Sequence, residues 1–271
     1  MDKTNILLAG LPDSGKSTYI AALWAVENDG NSDHLLSCDG YPSDSSYIDE
    51  LRNNWMMLKE VRRTVFAEPQ EIVLPMKSSR TKSIINLSIP DFKGEFFQRI
   101  IENSSSELKA WCEKSSAVLF MMNLGNSSPE MLQEQISETS TNNVELEKVV
   151  MTSNEIDLAI KNVLLLKYFY NIMGDCPIAI CFSLWDKIDD EGGLNVENWV
   201  KENHPCIYNY VKYHFSNYRY YGISAQGVDY SDLDGKSEDE LVQKTKMKQR
   251  AYVYRDKVSY DITEPLDFLI L

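Results

Sequence analysis

None of the five cysteines (Cys38, Cys112, Cys176, Cys181 and Cys206) stands in a C-x-x-C pair, and the three histidines show no metal-ligand spacing. That leaves no pattern for a metal centre and makes reduced thiols the expectation. No stretch approaches the ~18 apolar residues that a spanning helix needs, and the apolar segment near the start has strand length, too short for a signal-peptide core. A cytoplasmic protein without membrane insertion is expected. Basic charge is scarce: 27 Lys and Arg stand against 41 Asp and Glu, a formal net charge of -14. Such an excess repels phosphate backbones and anionic lipid, so no nucleic-acid partner is expected. The chain does hold apolar material, 43% of its 271 residues with 11% aromatic, enough for a substantial core.

Residues 10 to 17 read Gly10-Leu11-Pro12-Asp13-Ser14-Gly15-Lys16-Ser17, a complete G-x-x-x-x-G-K-[ST] phosphate loop between an apolar strand, Asn5 to Ala9, and a helix that begins near Lys16. The two glycines let backbone N–H groups converge on phosphate at a helix N-terminus. Lys16 then reaches the outer phosphates, and the Ser17 hydroxyl ligates the metal. The ligand class implied is a nucleoside triphosphate with Mg2+.

Two strand patterns follow, Glu71 to Met76 and Ser83 to Ile89, joined by a polar turn and plausible as an antiparallel pair. The second runs into Pro90-Asp91-Phe92-Lys93-Gly94-Glu95. A carboxylate at the end of a core strand with a glycine three residues on is what a nucleotide switch needs. Asp91 holds magnesium through water and the Gly94 N–H bonds the γ-phosphate. Ser116 to Leu124 and Pro177 to Phe182 are near-continuous apolar runs of the kind buried in a parallel sheet. The latter flows into Ser183-Leu184-Trp185-Asp186, and a further run, Arg219 to Ile223, leads into Ser224-Ala225-Gln226-Gly227.

In this order and placement the four signals resemble the TRAFAC class of P-loop GTPases. The resemblance implies GTP or GDP as ligand and sets Ser183-Leu184-Trp185-Asp186 on the base-recognition motif N/T-K-x-D, with Lys187 next to it among the nucleotide-contacting residues. There the Asp accepts from guanine N1–H and the exocyclic amine. It also sets Ser224, Ala225 and Gln226 on the S-A-K motif, where the Ala N–H donates to guanine O6. Ser183 and Leu184 depart from the family pattern, and a shifted frame, Asp186-Lys187-Ile188-Asp189, keeps Asp189 as the alternative. The loop is similar to the G-x-P-N-x-G-K-S loops of Era-like GTPases with Asp13 in the Asn position, which admits potassium dependence. Pro12, Ser14, Gly15 and Thr18 complete the nucleotide-contacting set. With the excursion ending Val61-Arg62-Arg63-Thr64 and the final Glu264 to Leu269, the chain resembles the double-GTPase group found in bacterial conflict and defence gene clusters.

Under this resemblance Thr64 completes magnesium coordination alongside Ser17 and Asp91, and Lys16, Thr64, Gly94 and Glu95 form the catalytic set. Arg62 and Arg63 are either a solvated helix face or an arginine finger. Glu95 stands where Ras-like members carry the water-orienting glutamine. A carboxylate there repels the γ-phosphate, so slow hydrolysis raised by a partner or by dimerisation is expected.

The expected fold is a single α/β domain over 1–271, a three-layer P-loop NTPase (Ras-like GTPase) fold with a mostly parallel sheet and one antiparallel edge strand. Polar excursions are expected near 27–66, 125–154 and 228–261. Thr152-Ser153-Asn154-Glu155 reads as a capping box opening a helix toward Pro177. Asn195 to Phe215 reads as a helix broken at Pro205, Ala251 to Tyr254 fits a hairpin strand, and Glu264 opens a closing helix. The function expected is a slow GTPase switch for a protein effector or partner GTPase subunit, with homo- or hetero-oligomerisation compatible. A P-loop ATPase or small-molecule kinase, and a non-hydrolysing nucleotide-binding interaction module, remain the alternatives.

Overall fold

The computed structural model describes residues 4–27, 34–42, 45–59, 71–90, 106–124, 145–189, 192–227 and 247–270. Nine strands form one sheet: β1 (Thr4–Ala9), β2 (Leu36–Cys38), β3 (Glu71–Ser78), β4 (Ile84–Pro90), β5 (Ala117–Met122), β6 (Ile178–Ser183), β7 (Tyr218–Ser224), β8 (Tyr252–Tyr254) and β9 (Val258–Ser259), in the order β2-β3-β4-β1-β5-β6-β7-β8-β9. The helices are α1 (Lys16–Glu27), α2 (Ser46–Met56), α3 (Ser106–Lys114), α4 (Glu145–Met173), α5 (Trp185–Ile188), α6 (Val196–Asn203), α7 (Pro205–His214), α8 (Met247–Arg250) and α9 (Glu264–Phe268).

Strand alternation divides the core in two. Ile6 and Leu8 of β1, Leu119 and Met121 of β5, and Ala179 and Cys181 of β6 face the side covered by α1, α2 and α9. Their neighbours Leu7, Ala9, Val118, Phe120, Ile178 and Ile180 face the side covered by α3, α4, α6 and α7. Because the central strands are covered on both faces, their sequences are apolar throughout rather than alternating. β4, β1, β5, β6 and β7 run parallel, so Pro90, Ala9, Met122, Ser183 and Ser224 all end at one edge.

The sheet corrects the expectation of mostly parallel pairing with one antiparallel edge strand. β2 with β3, β3 with β4, β7 with β8 and β8 with β9 are all antiparallel, so four of the eight pairings are of that kind and both edges carry them. The β3–β4 pair was legible, and so was β8 in the alternating Ala251 to Tyr254; the additions β2 and β9 are strands of three and two residues, too short to show a period. Two stretches read as polar excursions thus contribute to the sheet: β2 lies inside 27–66, together with α2, and β8 and β9 lie inside 228–261. The capping box at Thr152 is also corrected. α4 begins at Glu145 and passes through Thr152 to Asn154 without a break, because Glu145-Leu146-Glu147-Lys148 are good helix formers that carry the helix through three weaker residues. The break at Pro205 stands where expected, with Pro205 at the first turn of α7.

α1 is buried from Tyr19 to Glu27 without interruption. α2 lies across it and buries Tyr47, Ile48, Leu51 and Trp55, and Trp24 Nε1 donates to Asp49 Oδ1 at 2.7 Å. Distant chain is stitched to the same region: Tyr19 Oη donates to the Ile262 carbonyl at 2.8 Å. Leu35 N donates to Asp261 Oδ2 at 2.7 Å and Leu36 N to Thr263 Oγ1 at 3.2 Å. Arg80 pairs with Asp267 nearby. Among the described residues no helix is long and apolar enough to cross a membrane.

His204 sits at the joint of α6 and α7 with its ring against Trp199, 4.9 Å between centroids. Its Nε2 is buried and meets no hydrogen-bond partner among the described residues, and burial pulls its pKa down from 6.5 to about 4. The unfolded chain therefore binds a proton in that window that the folded chain refuses, and stability falls as pH drops from about 6.5 toward 4. His204→Phe should flatten this dependence, removing about 2 kcal/mol of the difference between unfolding free energies measured by urea denaturation at pH 7 and pH 5.

Candidate nucleotide site

β1 delivers the chain at Ala9, and α1 takes it up at Lys16. Between them Asp13 has φ 58° and Gly15 φ 84°, so the loop turns through left-handed backbone at both positions. Aspartate, like asparagine, tolerates that region through its short polar side chain, which gives a backbone reason for either residue at position 13. Glycine is required at the ends for want of room. A Cβ on Gly10 would stand 2.3 Å from the Met121 carbonyl oxygen, and one on Gly15 would stand 2.8 Å from Ser183 Cβ. The loop is thus pressed against the ends of β5 and β6. Ser183 Oγ donates to the Met122 carbonyl at 3.2 Å, and Asn123 Nδ2 donates to the Asp13 carbonyl at 3.2 Å.

The Lys16 ammonium folds back over this loop. It donates to the carbonyls of Gly10 and Leu11 at 2.8 and 2.7 Å and to Ser14 Oγ at 3.0 Å. A mobile point charge is thereby held at the mouth of the loop by neutral oxygens. The first backbone bond of α1 runs from Tyr19 N to the Gly15 carbonyl at 2.9 Å. The amides of Lys16, Ser17 and Thr18 precede it in the turn whose N–H groups have no partner within the helix. A turn of this kind, with positive dipole and a cation beside it, suits an anion of high charge.

The neighbouring strand ends carry the base-motif residues. After Ser183 the chain passes through Leu184 in left-handed backbone, φ 57° and exposed, into the short helix α5. Trp185 is buried there, 5.4 Å from the Trp199 ring and stacked on Tyr254 at 6.1 Å. That anchor fixes Asp186 and Lys187 at the sheet edge. The Asp189 carboxylate is engaged elsewhere. Its Oδ2 accepts from the amides of Gly193 and Leu194, both at 3.0 Å, and so closes its own loop. One strand over, Ser224 pairs with Tyr252 of β8. The Tyr252 phenol is pushed up to about 12, first by burial and then by the negative charge of Asp186. Asp186 and Ser224 therefore share a neighbour at one corner of the sheet.

The structure brings together Gly10, Pro12, Asp13, Ser14, Gly15, Lys16, Ser17 and Thr18 at the end of β1, Asp186 and Lys187 past β6, and Ser224, Ala225 and Gln226 past β7. All stand at the same edge. Thr64, Asp91, Gly94 and Glu95, with Arg62 and Arg63, lie outside the described residues. Asn123, Trp55, Arg250 and Tyr252 were not singled out from sequence. Trp55 belongs to an apolar helical stripe, Asn123 ends an apolar run and Arg250 lies among polar residues, so only Tyr252, already in a hairpin pattern, offered a signal.

The model of the Double-GTPase 1 family matches residues 7–269, and the chain belongs to that family. That family is, by its description, one of GTPases. No curated protein sequence matches the chain. Among solved structures, that of the bacterial selenocysteine-specific elongation factor EF-Sec is similar at 12% identity with a TM-score of 0.38, over 91% of this chain and 30% of that one. The chain thus spans less than a third of that factor's length.

The two candidate base-motif carboxylates separate by experiment. Asp189→Ala should lower stability by about 1 kcal/mol, as expected for two exposed loop amides losing an ionised acceptor. Asp186→Ala should leave the thermal midpoint within a degree or so of the parent. Differential scanning calorimetry of both variants distinguishes them.

Proposed function

We propose that this chain binds GTP with Mg2+ along the edge formed by Ala9, Ser183 and Ser224, hydrolyses it slowly, and uses the γ-phosphate to alter its affinity for a protein partner. The observation that carries the reading is the close approach of Gly15 to Ser183. It sets the loop that suits phosphate directly beside the strand end that bears Asp186, so one ligand of nucleotide length can touch both. Asp186 is preferred over Asp189 as the guanine acceptor because the Asp189 carboxylate is committed to Gly193 and Leu194. Ala225 follows Ser224 at the adjoining strand end and offers its N–H to guanine O6. The central parallel strands with helices on both faces support a Ras-like, TRAFAC-class arrangement, extended at both edges.

The residues present fit the magnesium nucleotide. Gly10 and Gly15 let the loop lie against the ends of β5 and β6, where a Cβ at either position would collide, and Ser17 lies in the turn that follows with a hydroxyl oxygen suited to a hard cation. Ser17, with Thr64 and Asp91, would hold the ion. The chemistry magnesium supplies when bound is neutralisation of charge between the outer phosphate oxygens. The chain's own part is positional: Lys16 exchanges its three loop oxygens for phosphate oxygens, and the α1 amides meet the anion. By the family resemblance Thr64 and the Gly94 N–H would meet the γ-phosphate, and Glu95 would be a poor water-orienting group beside that charge, which supports a low intrinsic rate. A protein effector or a partner GTPase subunit would supply the missing acceleration, and the group resemblance supports a cytoplasmic role in bacterial defence.

Equilibrium binding of labelled GTP and ATP, followed by a hydrolysis time course, tests the proposal. GTP should bind more tightly than ATP and turn over well below 1 per second. Lys16→Ala should lower affinity for both at least a hundredfold. Preference for ATP, or turnover of many GTP per second by the isolated chain, would overturn it.

A further inference from the structure

The loop that follows β7 is gripped from inside by two side chains that arrive from distant parts of the sequence. Trp55, on the last turn of α2 and fully buried, donates its indole N–H to the Ala225 carbonyl at 2.7 Å. Arg250, at the end of α8 and also buried, donates Nε to the Gln226 carbonyl at 3.0 Å. The two grips are joined, because the Arg250 guanidinium lies over the Trp55 ring with Cζ 3.9 Å from its centroid, a stacked cation–π geometry. Two of the costliest side chains to bury are thus spent on successive carbonyls of one short turn.

The consequence follows from peptide geometry. No described peptide bond is cis, and in a trans peptide the C=O and the next residue's N–H point in opposite directions. Drawing the Ala225 and Gln226 oxygens inward onto Trp55 and Arg250 therefore turns the Gln226 and Gly227 N–H groups to the opposite side of the loop. The same grips hold the backbone after the Ala225 N–H, and the pairing of Ser224 with Tyr252 holds it before. A loop that presents only donors accepts the carbonyl oxygen of guanine and rejects the amino group that adenine carries in its place. This argument rests on the guanine site proposed above.

We propose that Trp55 and Arg250 are positioning residues for nucleobase selection: the pair holds the Ala225 and Gln226 carbonyls so that the loop's amide donors are preset for a base bearing an acceptor oxygen. Neither side chain touches the base. Each acts through the backbone that it holds.

The ratio of ATP to GTP dissociation constants isolates this effect, since the two ligands share their phosphates and any general loosening of the fold weakens both alike. Trp55→Phe keeps an aromatic ring and removes the N–H; Arg250→Lys keeps the charge and removes the planar stack. Each should reduce the parent's ratio about fivefold or more, the equivalent of one neutral hydrogen bond. Ile48→Val, a core change on the same helix, should lower the melting temperature and leave the ratio unchanged. Should Trp55→Phe fail to fold, Arg250→Lys reads the same quantity. A parent that prefers GTP while the folded variants keep its full ratio overturns the positioning role and leaves the guanine site intact. A parent without preference overturns the guanine site itself, and the positioning role with it.

Discussion

The contact between Gly15, which has no side chain, and the end of β6 governs the whole edge of this molecule. Gly15 can lie against Ser183 only because neither presents bulk there, and Ser183 is itself tied to Met122. That contact converts a row of parallel strand ends into a continuous surface. On it the loop at Gly10 to Ser17 and the base-motif residues past β6 and β7 belong to one ligand-sized feature. Five parallel strands supply the row, because parallel pairing brings every C-terminus to the same edge. Any side chain larger than hydrogen at position 15 would push the loop away from β6 and split the feature in two.

The chemistry-bearing ends of the central strands were legible because both of their determinants are local. Ile6 to Ala9, Val118 to Met122 and Ile178 to Phe182 are apolar at every position, the mark of strands covered on both faces, and Gly10 to Ser17 is a contiguous motif whose backbone needs are written in its own residues. What escaped was fixed by distant partners. Leu36 to Cys38 carries no strand signal; it becomes one by pairing with β3 and by lending its neighbours' amides to Asp261 and Thr263. Thr152 to Asn154 imitates a helix start, yet the helix formers upstream outweigh it. Asp186 and Asp189 are indistinguishable in sequence, and only the loop closed by Asp189 tells them apart.

The thiols fit an interior role. Burial pushes Cys38 and Cys112 up to about 12 and Cys176 up to about 11, so these side chains stay protonated and poorly nucleophilic at neutral pH. Cys206, by contrast, is exposed. Among the described residues no group of His, Cys, Asp and Glu gathers into a metal cluster.

The seams between Tyr19 and Ile262, Leu35 and Asp261, and Leu36 and Thr263 join residues more than two hundred positions apart. On a chain made from its N-terminus onward, the first helix and the strand after it wait for more than two hundred further residues before these amides and this hydroxyl find acceptors. Loops of that span close slowly. A nascent chain arrested before residue 261 would therefore carry its phosphate-loop motif on an unfinished layer, and that layer closes only once the segment through Thr263 has been made.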